Sequence, residues 1–194
     1  MRTIKVDGYH GTALKNADSI LATGFESSVR LDHWLGQGFY FFSDFDLALW
    51  WIKTKIRSKD GARCAVINVS MECDDSLWLD LDTVSGINYF IEEVNAILRA
   101  SSHLVSLKFD ASKLEDDQIR IRHLCFALDL LKKFRNIQLV AMTFRKDKPR
   151  YAAHSIADFE EHFFTLPWDF TYQERQICST SNDIVTSKKV VFPN

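Results

Sequence analysis

Two short segments are oddly built for structure alone and carry residues that could contact a ligand. The first is Gly8-Tyr-His-Gly-Thr12. Gly11 lies between a β-prone run and a helical pattern, where a missing side chain lets the backbone approach a ligand closely. His10 beside it offers ring nitrogens for a hydroxyl or an amide. The second segment is Trp34-Leu-Gly-Gln-Gly-Phe-Tyr-Phe-Phe42, in which Gly36 and Gly38 lead straight into an aromatic strand. Gly36-Gln-Gly38 lacks the third glycine and following helix of a dinucleotide fingerprint, so alone it reads as a β-turn before a core strand. A polar pair lies near the C-terminus. With period two, Tyr172, Glu174, Gln176 and Cys178 share one strand face, which sets Glu174 and Gln176 about 6–7 Å apart.

These residues need elements to hold them. Residues 4–10 are short and β-prone, and Thr12 can cap a helix from Ala13 to about Thr23, ended by Gly24. Residues 26–37 read as a polar, glycine-interrupted loop, and Phe39–Phe42 as a strand. Ser43 to Asp46 resembles a capping box opening a helix to about Ile56. Further strands are expected at Cys64–Glu72, Leu77–Leu81, Ile137–Phe144, Phe170–Ser179 and Ile184–Phe192. Helical periodicity runs over 83–100 and 115–135. Strands scattered among helices without a regular βαβ rhythm predict an α+β fold with a mixed or antiparallel sheet. No repeat or linker divides the chain, so residues 1–194 read as one domain.

Composition sets limits. The net charge of −2 excludes a global polyanion binder. The strongest local cationic run is Arg145, Lys146, Lys148 and Arg150, a solvated loop in its plainest reading. Cys64, Cys73, Cys125 and Cys178 lack metal-ligand spacing, so no metal site is expected. With no apolar run of membrane-spanning length and no signal-peptide pattern, a cytoplasmic protein with free thiols is expected.

Taken together, His10-Gly11-Thr12, Gly36-Gln-Gly38-Phe-Tyr40-Phe41 and the following helix with Ala48, Trp50 and Trp51 resemble the ADP-ribosyltransferase superfamily, in its diphtheria-toxin and poly(ADP-ribose) polymerase branch. The match is strong over roughly residues 8–56. The resemblance implies split, mostly antiparallel sheets flanked by helices, and NAD⁺ as co-substrate. It implies that His10 bonds the adenosine ribose, that the Gly11 backbone holds the nicotinamide carboxamide, and that Tyr40 stacks on the nicotinamide ring. Thr12 and Gly38 belong to the same two motifs and join the implied cofactor contacts. Trp50 or Trp51 stands where the family often has a second stacking tyrosine, a departure that keeps a flat face. Arg30, in the loop with Ser27 and Ser28, would reach the pyrophosphate, and His33 is loop filler or pocket rim.

Cleavage of the nicotinamide–ribose bond passes through an oxocarbenium-like transition state, helped by a hydrogen bond to the 2′-hydroxyl and by negative charge. Glu174 and Gln176 are the two candidates on the late strand. Charge favours Glu174, whereas similarity of Gln176-Ile-Cys178 to the family's final strand favours Gln176 on the ribose, with Glu174 orienting the acceptor. Cys178 reads as core, because no histidine follows nearby to activate it.

The small size resembles bacterial intracellular toxins of toxin–antitoxin and phage-defence systems, which implies a cognate antitoxin. The expected activity is mono-ADP-ribosyl transfer to a macromolecule, with RNA or DNA slightly ahead of protein. Arg120, Arg122, Lys132, Lys133 and Arg135 on the long helix, with the 145–150 run, are candidate phosphate contacts. The alternatives are an NAD⁺ glycohydrolase and an inactive NAD⁺ or ADP-ribose binding module. An RNA 2′-phosphotransferase shares the His-Gly-Thr element, but Tyr40 in its aromatic strand argues against it. Because no ligand cluster is visible, EDTA should leave nicotinamide release from NAD⁺ unchanged. Loss of release in EDTA, restored by one defined metal, would overturn that expectation.

Overall fold

Two eleven-residue strands, β1 (Thr3–Ala13) and β3 (Cys64–Asp74), pair antiparallel along their full length, from Thr3↔Asp74 to Ala13↔Cys64. A computed structural model describes residues 2–27, 33–56, 63–100, 116–146 and 172–193. Cys64–Ile67 of β3 are buried without a break, as where a strand is covered on both faces, and beyond them burial alternates, with Val69, Met71 and Cys73 buried and Asn68, Ser70 and Glu72 on the other face. The remaining strands are β2 (Phe39–Phe42), β4 (Trp78–Asp80), β5 (Leu139–Lys146), β6 (Tyr172–Ser179) and β7 (Val185–Pro193). They complete one sheet in the order β4-β5-β6-β2-β1-β3-β7, antiparallel except for β4 beside β5.

Among the described residues, four α-helices flank the sheet: α1 (Leu14–Thr23), α2 (Phe45–Trp51), α3 (Val84–Ala100) and α4 (Asp116–Arg135). The fold is α+β. Phe39, Phe41, Ile67, Leu139 and Ile177 build one core. Val94 and Ile97 of α3 and Leu128 and Leu131 of α4 close a second core over Val140 and Cys178. Full burial of Leu128 and of Leu131 contributes roughly 1.5–3 kcal/mol each. A smaller cluster joins Ala48 and Ile52 to Cys64 and Val66. Among the described residues, no helix is long and apolar enough to cross a membrane.

Local signals hold at most element ends. Asp44 caps α2, its carboxylate accepting from the Asp46 N–H at 2.7 Å. The helix expected to reach Ile56 does so, with Ile52–Ile56 wound as a π-turn. Gly24, at φ 95°, ends α1 and donates to the Ile20 carbonyl at 3.0 Å. Thr12 is a correction. It lies inside β1 opposite Ala65 and is buried, while Ala13 precedes α1 without a side-chain cap. The ladder with β3 outcompetes the local cap.

Gly38, at φ 148°, turns the chain into β2 so tightly that an added Cβ would meet Cys178 Sγ at 2.6 Å and the Ser179 backbone. Gly38→Ala should therefore cost about 1–3 kcal/mol, read as a lower urea midpoint at unchanged slope. An unchanged midpoint would show that this approach of turn and β6 is not required.

Candidate functional site

The site arises where two strands part. β1 and β2 are in register at Tyr9↔Phe42 alone. Beyond that position the antiparallel sense carries β1 on through His10 to Ala13, while β2 is followed backwards through Phe41, Tyr40 and Phe39 without further pairing. His10 bridges the opening seam, its Nδ1 lying 2.8 Å from the Tyr40 carbonyl oxygen. A carbonyl only accepts, so Nδ1 carries a proton, and in the neutral ring Nε2 is then the acceptor. Phe25 and Phe41 meet the imidazole edge-on, with centroids 5.2 and 5.9 Å away. Burial pushes the His10 pKa below its ordinary value, and the bond to the Tyr40 carbonyl offsets this in part.

The seam opens into a cavity of about 660 Å³, within the range of small-molecule sites. His10, Gly11, Thr12, Gly38, Tyr40, Trp51 and Gln176 all line it. Seven residues from β1, the turn, β2, α2 and β6, singled out in the sequence, thus meet on one concave surface. Gly11 is tight as well: a Cβ there would meet Ile52 Cγ2 at 2.6 Å and the Ala48 carbonyl at 2.8 Å. α2 can lie this close to β1 because position 11 has no side chain.

Tyr40 has a second task. Its hydroxyl donates to the Gly36 carbonyl at 2.7 Å and accepts from the Leu35 N–H at 2.8 Å. Burial drives the phenol pKa far above its normal value, so it stays protonated and donating. His33 packs on the ring at a centroid distance of 5.1 Å, and Trp34 stands edge-on to Phe144 at 4.7 Å. Both His33 and Trp34 line the cavity, so His33 belongs to its wall.

The other residues singled out in the sequence fall in different places. Trp51 lines the cavity and Trp50 does not; the tilted pair is 6.4 Å apart. Glu174 is buried on β6 opposite Phe144 and is not part of the cavity wall, whereas Gln176, two residues on and opposite Phe42, is. Arg30 and Ser28 lie outside the described residues, as do Lys148 and Arg150. Of the α4 cations, Lys132 is turned inward onto backbone carbonyls, and Arg135, which is exposed, pairs with Glu93 at 2.5 Å. All four cysteines are free and buried. Among the described residues, no group of His, Cys, Asp and Glu could hold a metal.

Sequence reasoning missed Asn16, Ser19 and Ile20 of α1, together with Phe25 and Glu26, all in the cavity wall. The signal was available, since positions 16, 19 and 20 share one helical face directly after the His10 motif.

No family model matches the chain, and no solved structure matches it. An uncharacterized protein of Methanocaldococcus jannaschii is 32% identical over 87 residues, a stretch covering 43% of this chain and 41% of that protein. The chain thus spans less than half the length of this relative.

The His10 tautomer gives a direct check. By nitrogen NMR, Nδ1 should be protonated and the ring should titrate below about 6.5. Because the folded pKa is the lower one, stability should fall as pH drops below about 6.5 and level off once both states are protonated. A His10 pKa above the unfolded value, or an Nε2–H tautomer, would contradict the seam geometry.

Proposed function

We propose that this chain binds NAD⁺ in the cavity between β1 and β2 and transfers its ADP-ribose to a macromolecule. The observation that carries the reading is the convergence of His10, Gly11, Tyr40, Trp51 and Gln176, from separate elements, on one cavity of about 660 Å³. Tyr40 and Trp51 offer flat faces for a nicotinamide ring, an arrangement worth roughly 0.5–1.5 kcal/mol beyond area burial for aromatic pairs. His10, neutral and with Nε2 as its acceptor, suits a ribose hydroxyl that donates. Gln176 can hold a hydroxyl beside the bond that breaks. In that step the C1′–N bond cleaves and its electron pair leaves with neutral nicotinamide. The acceptor atom then bonds C1′ and gives up its proton.

The acceptor we favour is nucleic acid, with protein as the alternative, in an intracellular effector restrained by a partner protein. One observation supports a second reading. The neutral Gln176 is in the cavity wall while the carboxylate of Glu174 is not, and an amide cannot neutralise a cation. A module that binds NAD⁺ or ADP-ribose without turnover fits that arrangement, and an NAD⁺ glycohydrolase fits the case in which water is the acceptor.

Incubation with NAD⁺ labelled in its adenylate half, followed by nicotinamide release and the fate of the label, separates these outcomes. Release with label on RNA or DNA is expected, and that labelling should weaken steeply with salt. Binding without release would leave the module, and release with only free ADP-ribose the glycohydrolase. Tyr40→Ala should abolish release in a folded protein. Tyr40→Phe keeps the ring but loses two hydrogen bonds of about 0.5–1.5 kcal/mol each, so KM should rise several-fold or more. Removing the decisive group on β6 should cost about 10²–10³ in rate. Gln176→Ala should do so if that group holds the ribose, and Glu174→Gln if charge acts from behind the wall. Full activity in both variants would remove β6 from the site.

A further inference from the structure

The turn that carries Gly36 and Gly38 is held from behind by the long helix. Lys132 Nζ donates to the Leu35 carbonyl at 2.5 Å and to the Gln37 carbonyl at 2.7 Å, and lies 3.3 Å from Cys178 Sγ on β6. An ammonium has three donors, and these three contacts use them all. Asp129, one turn earlier on α4, completes the hold by accepting from the Gln37 N–H at 2.6 Å. Gly36, at φ 76°, fits between the two, since a Cβ there would lie 2.9 Å from Lys132 Nζ and against the Asp129 carboxylate. The same turn is bonded from its other side by the Tyr40 hydroxyl, through Leu35 N–H and Gly36 carbonyl. Its peptide groups from Leu35 to Gln37 are therefore shared among Lys132, Asp129 and Tyr40.

From this geometry we infer that Lys132 and Asp129 are positioning residues of the cavity, setting the height of the Tyr40 ring and of the Trp34 wall without touching the ligand. The inference rests on the proposed use of the cavity for NAD⁺. Backbone carbonyls bonded to a cation and an N–H bonded to a carboxylate are charge-assisted contacts, shorter and stronger than neutral ones. They fix the turn before any ligand arrives, so the ordering cost at binding is lowered. The prediction is a split: the clamp controls affinity, and the chemical step proceeds at nearly its normal rate once the site is filled.

The test uses Lys132→Met, Lys132→Arg and Asp129→Asn in the full chain, with amide hydrogen exchange and NAD⁺ titration as readouts. Exchange of the Leu35–Gly38 amides should speed up at least tenfold in Lys132→Met and in Asp129→Asn, with the β1–β3 ladder as protected as before. The NAD⁺ dissociation constant should rise tenfold or more in both, and kcat should fall less than threefold. Lys132→Arg, which keeps the charge and several donors, should recover part of the affinity. Unchanged turn exchange, a loosened turn with unchanged NAD⁺ affinity, or loosening spread evenly over the whole sheet would each overturn the inference. Should Lys132→Met fail to fold, Asp129→Asn alone decides it, since that change keeps size and shape. If the wild-type protein binds no NAD⁺, the reading of the cavity fails by itself, and the clamp stands or falls on the turn-specific exchange.

Discussion

One hydrogen bond shapes the site, from His10 Nδ1 to the carbonyl of Tyr40. In a closed sheet that carbonyl would take a backbone N–H from β1, and the strands would stay a ladder spacing apart. Here an imidazole takes the place of the missing N–H. The Tyr40 carbonyl is satisfied, and the seam past Tyr9↔Phe42 stays open. One contact thus creates the space, fixes the tautomer and leaves Nε2 as an acceptor. Burial beside Phe25 and Phe41 disfavours the charged ring. With the seam open, the imidazole supplies the hydrogen bond that the closed ladder would have given this carbonyl, a contact worth about 0.5–1.5 kcal/mol.

Everything else around the cavity answers to that opening. Glycines stand where elements crowd it: Gly11 under α2, and Gly36 and Gly38 against α4 and β6. Aromatic rings supply the walls, and the Tyr40 phenol, unable to ionise near neutral pH, ties the turn to its own strand. The cavity wall is built of strands and of a turn hydrogen-bonded from both sides, by Lys132 and Asp129 and by Tyr40.

Much of this was legible in the sequence because the periodicities are strong. The Phe39–Phe42 strand, the 115–135 helix and the late strand bearing Glu174 and Gln176 have unambiguous patterns, and the structure has each of them. The end of β1 was not legible, since a ladder with residues 64–74 overrides a threonine that looks like a cap. Trp51 could have been separated from Trp50 by helical phase, as it falls with Ala48 and Ile52 on the face toward Gly11. The inward turn of Lys132 was out of reach, because a lysine in a basic helix looks the same whether it faces solvent or a buried carbonyl. Gln176 and Glu174 share a face by periodicity, and only the position of β2 opposite Gln176 separates the cavity wall from the interior.

The central claim, that the seam between β1 and β2 is an NAD⁺ site, is tested most directly by a crystal structure with carba-NAD, whose nicotinamide bond cannot be cleaved. The account predicts the nicotinamide ring against Tyr40 with Trp51 nearby, its carboxamide on the Gly11 backbone, and His10 Nε2 accepting from a ribose hydroxyl. Carba-NAD bound elsewhere on the protein, or an unchanged empty seam at saturating concentration, would contradict it.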